Sequence, residues 1–152
     1  MPALLVEMLD DGRWHHPGQQ ALDRVVPWRD EPVQLFTTIG QMEQETAGLS
    51  RETEDDELAR MFWVARRSAQ AEPVELPWLD IDRALLIGGA RYSDCIAIAL
   101  DYRPDAEDPQ VVVFGEEMVD LHQGNRWPRG WRVVAPTFPA FVAALNLSEP
   151  AG

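Results

Sequence analysis

The chain has 152 residues, of which 45% are apolar and 9% aromatic, and this composition supports one hydrophobic core and excludes global disorder. Its 26 acidic residues outnumber its 13 basic residues, so the net charge is -13. That charge repels phosphate groups and argues against nucleic acids and anionic membrane surfaces as partners. Every basic residue is an arginine, which excludes lysine-dependent chemistry such as Schiff-base formation and P-loop phosphate binding.

The cysteine content and the N-terminus indicate a reducing compartment. One cysteine, Cys95, cannot form an internal disulfide, and the N-terminus has neither a basic start nor a long apolar run. We therefore expect a cytoplasmic protein. No stretch approaches the roughly 18 apolar residues that a membrane-spanning helix needs.

Apolar residues recur at helical spacing through residues 1–72. Helices are predicted for four segments, residues 2–9, 19–26, 33–46 and 53–69. Gly48 is expected to follow the end of the third helix. Thr53 is expected to be the N-cap of the fourth helix, because an acid, Asp56, lies three residues later.

Residues 73–147 have the alternation and short apolar runs of strands, followed by one helix. Strands are predicted for residues 84–87, 95–102, 111–114 and 131–135. Gly88 and Gly89 are expected to form a tight turn, and the polar residues 103–110 a hairpin connection. Thr137 is expected to be the N-cap of the last helix.

This order of elements predicts an α+β fold over residues 1–152 as one domain. The expected core is a largely antiparallel central sheet of about four to six strands, with N-terminal helices and a C-terminal helix. Small residues alternate with large apolar residues in residues 96–101, so we expect both faces of the sheet to be covered.

The acidic residues are concentrated in two segments. Residues 43–57 and residues 101–120 each contain seven acids and one arginine, so each has a charge of -6, and together they supply -12 of the net -13. Two interpretations stay open: separate solvated faces, or one negative surface that attracts a basic partner.

Candidates for nucleophilic catalysis are weak. Cys95 opens an apolar strand beside Asp94, whose charge would raise the pKa of the thiol. His15 and His16 are adjacent, so they point to opposite faces of an extended segment, and the third histidine, His122, is far away in sequence. We expect no catalytic residue.

Candidates for metal or cofactor binding are equally weak. Asp80 and Asp82, or Asp101, Asp105 and Asp108, do not follow the calcium-loop pattern, and ordinary acids at strand ends and in loops explain them. We expect no metal and no cofactor. Trp127 and Trp131 lie among arginines, which is typical of interface hot spots, although Trp131 would equally suit the start of a buried strand.

Four segments carry a family resemblance: residues 85–88 (LLIG), 94–103 (DCIAIALDYR), 109–114 (PQVVVF) and 131–141 (WRVVAPTFPAF). In this order they resemble the SUKH superfamily, the Smi/Knr-like proteins. The IALDYR and APTFxxF pieces are the specific ones.

The resemblance implies an α+β fold and a binding function, since bacterial members are mostly immunity proteins that block a cognate polymorphic toxin, and fungal relatives act as scaffolds. It implies no catalytic residues. It places Asp101 and Arg103 at strand-end positions that brace the turn.

The first hypothesis is therefore a non-enzymatic immunity protein that covers the active site of a basic toxin, of nuclease type, as a monomer or weak homodimer. The expected partner-binding residues are Glu52, Glu54, Asp55, Asp56 and Glu57 at a helix start, Asp105, Glu107 and Asp108 in a loop, and Trp127. The alternatives are an intracellular regulatory scaffold and, less favoured, a hydrolase that uses Asp94 and Asp101. Their odd separation places the two carboxylates on opposite faces of a strand, which counts against that pair.

Overall fold

The computed structural model describes residues 1–26, 32–90, 96–116, 118, 119, 124, 126–147 and 149. The helices are α1 (Ala3–Asp11), α2 (Gln19–Val25), α3 (Ile39–Glu52), α4 (Asp56–Phe62) and α5 (Phe138–Ala144). The strands are β1 (Val33–Leu35), β2 (Val64–Ala65), β3 (Leu79–Asp80), β4 (Ala84–Ala90), β5 (Ala97–Asp101), β6 (Gln110–Gly115), β7 (Met118–Val119), β8 (Arg126–Trp127) and β9 (Gly130–Ala135).

A five-stranded antiparallel sheet forms the centre, in the order β1-β4-β5-β6-β9. This confirms the predicted α+β class and the antiparallel central sheet. Strands β4, β5 and β6 follow one another as hairpins, whereas β1 comes from the mainly helical first part of the chain and closes one edge. Small two-stranded pairings join β2 with β3 and β7 with β8.

Both faces of this sheet are covered, as expected from the alternating small and large residues of β5. Ile98, Ala99 and Leu100 are successive residues, and each is fully buried. Since successive side chains of a strand point to opposite faces, other elements must lie on both sides. Helix α3 packs on β4, and α5 packs on β6 and β9.

Helices α1, α2 and α5 lie where the sequence predicts them. Gly12 ends α1 in the left-handed conformation, with φ of 79°, which glycine adopts without steric cost. Thr137 caps α5, because its hydroxyl accepts a hydrogen bond from the Ala140 N–H at 3.2 Å. Trp14, which follows α1, contacts Phe138 of α5 with 5.6 Å between ring centroids.

The helix predicted for residues 33–46 is wrong in its first part. Val33 and Leu35 are buried and Gln34 is half-buried, which is the alternation of a strand, and the three residues pair with Gly88 to Ala90. Helix α3 begins only after Thr38, whose hydroxyl caps it, and continues to Glu52. Pairing with a distant strand therefore overrides the local helical spacing.

Gly48 lies inside α3 and does not follow its end, which corrects a second prediction. The φ of Gly48 lies outside the left-handed region in which glycine ends helices, and Thr46, two residues earlier, attaches α3 to the sheet. The Thr46 hydroxyl donates to the Met42 carbonyl at 2.7 Å and accepts from the Leu86 N–H at 2.9 Å.

The helix predicted for residues 53–69 is also wrong, because α4 covers Asp56–Phe62 alone. Thr53 is the C-cap of α3, and its hydroxyl donates to the Ser50 carbonyl at 2.6 Å. The N-cap of α4 is Asp55, whose carboxylate accepts from the N–H groups of Glu57 and Leu58. Trp63 ends α4 with a positive φ of 51°, and the next two residues pair with β3.

The expected turn at Gly88 and Gly89 is wrong as well, since both glycines lie within β4. A Cβ on Gly88 would come within 2.7 Å of the Gln34 carbonyl oxygen. Gly88 thus permits close approach of β1 to β4, and the glycine pair does not reverse the chain. The strand predicted for residues 95–102 is β5, which begins at Ala97, and Cys95 lies outside the described residues.

We predict that alanine at Gly48 and at Gly88 changes stability in opposite directions. At Gly48 an added Cβ would meet only the flexible Arg51 side chain, at 3.7 Å, so Gly48→Ala should raise the free energy of unfolding by about 0.5–1 kcal/mol. At Gly88 the Cβ meets backbone, so Gly88→Ala should lower it by about 1–3 kcal/mol. Urea denaturation measures both changes, and a Gly88→Ala variant as stable as the parent would contradict the close approach.

We predict that the cap of α4 depends on Asp55 and not on Thr53. Asp55→Ala should lower the free energy of unfolding by about 1 kcal/mol, because two helical N–H groups lose their acceptor. Asp55→Asn, which keeps an acceptor oxygen, is the matched control and should lose less. Thermal unfolding followed by circular dichroism measures these changes, and a larger loss in Thr53→Ala than in Asp55→Ala would reverse the assignment.

Candidate partner-binding site

The turn between α3 and α4 presents the densest negative charge in the described part of the chain. We call residues 52–57 the α3–α4 corner. Glu54, Asp55, Asp56 and Glu57 are exposed there, and Glu52 is half-buried. The Asp55 cap orients the turn, and Asp56 and Glu57 occupy the first turn of α4, where the helix dipole favours negative charge.

The carboxylates of this corner have no cation of their own within the described residues. The ion pairs between described residues lie elsewhere in the protein. They join Arg13 with Glu7 and Asp11, Arg103 with Asp101, and Arg129 with Glu116. None involves residues 43–57. The acids of that segment therefore have no ion-pair partner within the described residues.

The second acidic segment offers less charge than its sequence indicates. Asp101 is fully buried, and Glu116 pairs with Arg129 at 3.2 Å. The exposed acids that remain in the described part of the segment are Asp105, Glu107 and Asp108, in the connection between β5 and β6.

Asp105 also organises this connection. Its carboxylate accepts from the Glu107 and Asp108 N–H groups at 2.8 and 3.0 Å. These hydrogen bonds hold the pKa of Asp105 below its ordinary value. Within the residues described, no hydrogen bond or ion pair joins this connection to the α3–α4 corner, so both interpretations, separate faces or one surface, stay open.

Trp131 is a core residue, whereas the structure describes only the backbone of Trp127. Trp131 is the second residue of β9 and has 3% of its surface exposed. It packs against Phe114 with 5.5 Å between ring centroids, and its indole N–H donates to the Phe62 carbonyl. Trp127 lies in β8, and its side chain is outside the described part, so its role in an interface stays a prediction.

Asp101 is engaged on both carboxylate oxygens. One oxygen accepts from the Arg103 N–H and Nε, at 3.1 and 2.8 Å, and the other from Arg103 Nη2 and Gln110 Nε2, at 2.9 and 2.8 Å. Arg103 Nη1 donates further to the carbonyls of Val74 and Trp78. This geometry is a brace of the β5–β6 turn, as the family resemblance implies for Asp101 and Arg103.

The pKa of Asp101 reflects a balance between burial and this brace. Burial is the largest influence and by itself raises the pKa. The hydrogen bonds from Arg103 and Gln110 and the arginine charge outweigh it, so the pKa lies below its ordinary value. Asp101 is thus an ionised structural group, and its geometry lends no support to the hydrolase hypothesis, whose other carboxylate, Asp94, lies outside the described residues.

Asp80 and Asp82, which were weighed as metal ligands, both accept hydrogen bonds that hold the fold together. Asp80 is buried and accepts from the N–H groups of Arg67 and Asp82. Asp82 accepts from the N–H and hydroxyl of Ser68, and the Ser68 N–H above all lowers its pKa. Both acids therefore join β3 and the turn after it to residues 67–68.

The described residues contain no group of three or more histidine, cysteine, aspartate and glutamate side chains placed to hold a metal ion. The His15 ring nitrogens lie 3.0 and 3.2 Å from the carbonyl oxygens of His16 and Glu149, and the His16 ring accepts a hydrogen bond from the Gly18 N–H. Cys95 and His122 lie outside the described residues.

A groove of about 780 Å³, which no sequence pattern predicted, lies between α3, α4 and the central sheet. Gly48 and Leu49 of α3, Leu58 and Phe62 of α4, and Gly89 and Ala97 of the sheet line it. The signal in the sequence is a pair of small residues, Gly89 of β4 and Ala97 of β5, which are cross-strand neighbours in the sheet.

No helix in the described residues has the length and apolar character required to cross a bilayer. Comparison with known proteins finds no family model, no curated protein and no solved structure that matches this chain. The function must therefore be argued from the site itself, with the SUKH resemblance as a prediction.

We predict that the Asp101–Arg103 pair stabilises the fold in a pH-dependent manner. Arg103→Met leaves a buried carboxylate without its cation and should lower the free energy of unfolding by about 3–5 kcal/mol near pH 7. Because the folded-state pKa of Asp101 lies below the unfolded value of about 3.9, its contribution is present above about pH 4 and is lost as the pH falls through the folded pKa.

Urea denaturation of the parent and of Asp101→Asn, between about pH 6 and pH 2, measures this dependence. The parent should lose stability on acidification more steeply than Asp101→Asn, which has no carboxylate to titrate at this position. Parallel curves for the two proteins would show that the pair does not contribute.

Proposed function

We propose that this protein is a non-enzymatic, cytoplasmic immunity protein, which binds a basic toxin of nuclease type and covers its active site. The observation that carries the proposal is the α3–α4 corner, where five carboxylates within six residues lack a cation in the described structure. A nuclease presents a positive groove to the phosphates of its substrate, and an acidic protein surface can occupy the same groove. The SUKH resemblance supports the choice of a toxin as the partner.

The physical advantage of such a corner lies in both the rate and the strength of association. Exposed negative charge steers a basic partner and raises the association rate by roughly 10–10³ at low salt. Carboxylates that pair with arginine or lysine in the interface then couple by about 1.5–7 kcal/mol in a well-measured complex of this kind. Neither effect needs a catalytic residue.

The loop acids Asp105, Glu107 and Asp108 are the second contact region in this proposal. Asp105 is committed to the hydrogen bonds of its turn, so Glu107 and Asp108 are the more available charges. The α3–α4 corner ranks first because its acids are more numerous and Asp55 alone among them has a structural task.

We predict that charge reversal at the corner abolishes protection. Glu54→Arg with Glu57→Arg spares the Asp55 cap and should weaken binding by at least about tenfold at low salt, and it should remove protection in cells that express the toxin. The matched control is Glu72→Arg with Glu75→Arg, which changes the net charge equally at exposed acids outside both acidic segments and should leave protection intact.

The partner for this test comes from affinity purification of the tagged protein from its own host at low salt. We expect a stoichiometric basic polypeptide that high salt releases and that is toxic when expressed alone. Unchanged protection after the corner reversal would remove this surface from the proposal, and a co-purifying partner without toxicity would favour the scaffold alternative.

A further inference from the structure

The groove between α3, α4 and the sheet has small residues at its floor and half-buried apolar side chains along its helical walls. Gly89 and Ala97 form the floor beside buried Phe114. Leu49, Leu58 and Phe62 form the helical walls, and each is half-buried. Apolar surface that remains open to water in a groove of this size is a site where an apolar side chain gains free energy by burial.

Gly48 lines this groove from the interior of α3, where a glycine costs helix stability. It lies within α3, its φ is not in the left-handed region, and a Cβ would meet nothing closer than the Arg51 side chain at 3.7 Å. A glycine in the interior of a helix lowers stability relative to alanine. Neither backbone geometry nor packing requires glycine here, and Gly48 is one of the residues that line the groove.

The rim of the groove carries polar groups without partners in the described structure. Glu45 and Glu52 of α3 border it, together with Arg51 and with Gln34 of β1. None of these four side chains has a hydrogen bond or ion pair to another described residue. Glu52 belongs also to the α3–α4 corner, so the groove and the acidic corner form one continuous surface.

We propose that the groove binds a polypeptide segment of the basic partner, with one large apolar side chain seated over Gly89 and Ala97. Arginine or lysine residues that flank this side chain pair with Glu45 and Glu52, and Arg51 and Gln34 hydrogen-bond to the main chain of the segment. The negative rim and its continuity with the acidic corner select a basic segment as the occupant. This inference rests on the proposed function and deepens it, because it adds an apolar anchor to an electrostatic contact.

The test uses the full-length protein and a library of random peptides displayed on phage. Selection should enrich peptides that combine an aromatic or large aliphatic residue with arginine or lysine close to it. An enriched peptide, labelled with fluorescein, is then titrated against the parent and against Gly48→Phe, which fills the groove from α3. We expect Gly48→Phe to bind at least about tenfold more weakly.

The matched control is Gly40→Phe, which adds the same side chain to the same helix at a site that has no atom within 4 Å of the added Cβ and does not line the groove. It should bind the peptide like the parent. Ala97→Met, which fills the groove from the sheet, is a second blocking variant. Circular dichroism and thermal unfolding establish that each variant is folded before its affinity is measured.

Peptides that bind the parent and both blocking variants equally, or a selection that enriches no basic and apolar sequence, would overturn the groove as a binding site. Toxin neutralisation separates this outcome from failure of the proposed function. Loss of protection in the corner reversal but full protection by Gly48→Phe would refute the groove alone. Full protection by the corner reversal would refute the acidic surface, whatever the peptide titration shows.

Discussion

The buried carboxylate of Asp101 holds together segments that lie far apart in the chain. It binds Arg103 and Gln110 across the β5–β6 turn, and Arg103 in turn binds the carbonyls of Val74 and Trp78. The segment that contains these carbonyls also contacts the edge of the sheet, since the Pro77 carbonyl accepts from the Trp131 N–H. One ionised group thus fixes the position of residues 74–78 against the sheet, and a charge can remain buried there because every oxygen has donors.

Helix α3 connects this core to the proposed binding surface. Thr46 fixes the helix to β4 through its hydroxyl, while Gly48, two residues later, leaves space beside it. The helix then ends at the acidic α3–α4 corner. Helix α3 therefore carries the threonine that attaches it to the sheet, the glycine that lines the groove and the start of the acidic corner. A partner that contacts the corner is also within reach of the groove.

The two acidic segments show why net charge alone does not identify an interface. Each has a charge of -6 in the sequence. In residues 101–120, Asp101 and Glu116 are paired with arginines and Asp105 supports a turn. Among the acids of residues 43–57, Asp55 alone has a structural hydrogen-bonding task. An ion pair inside the protein consumes charge that a partner would otherwise meet, and pairing depends on contacts between distant residues.

The sequence by itself determined the features with local causes: the α+β class, the strands β5, β6 and β9, the helices α1 and α2, and the Thr137 cap of α5. Alternation and capping act within a few residues, so they can be recognised without the fold. The tertiary structure alone decided that residues 33–35 form strand β1, that strand β4 continues through Gly88, and that α3 and α4 are separate helices. Those outcomes, and the groove itself, depend on partners distant in sequence, such as β1 for Gly88 and β3 for residues 64–65, which local periodicity does not contain.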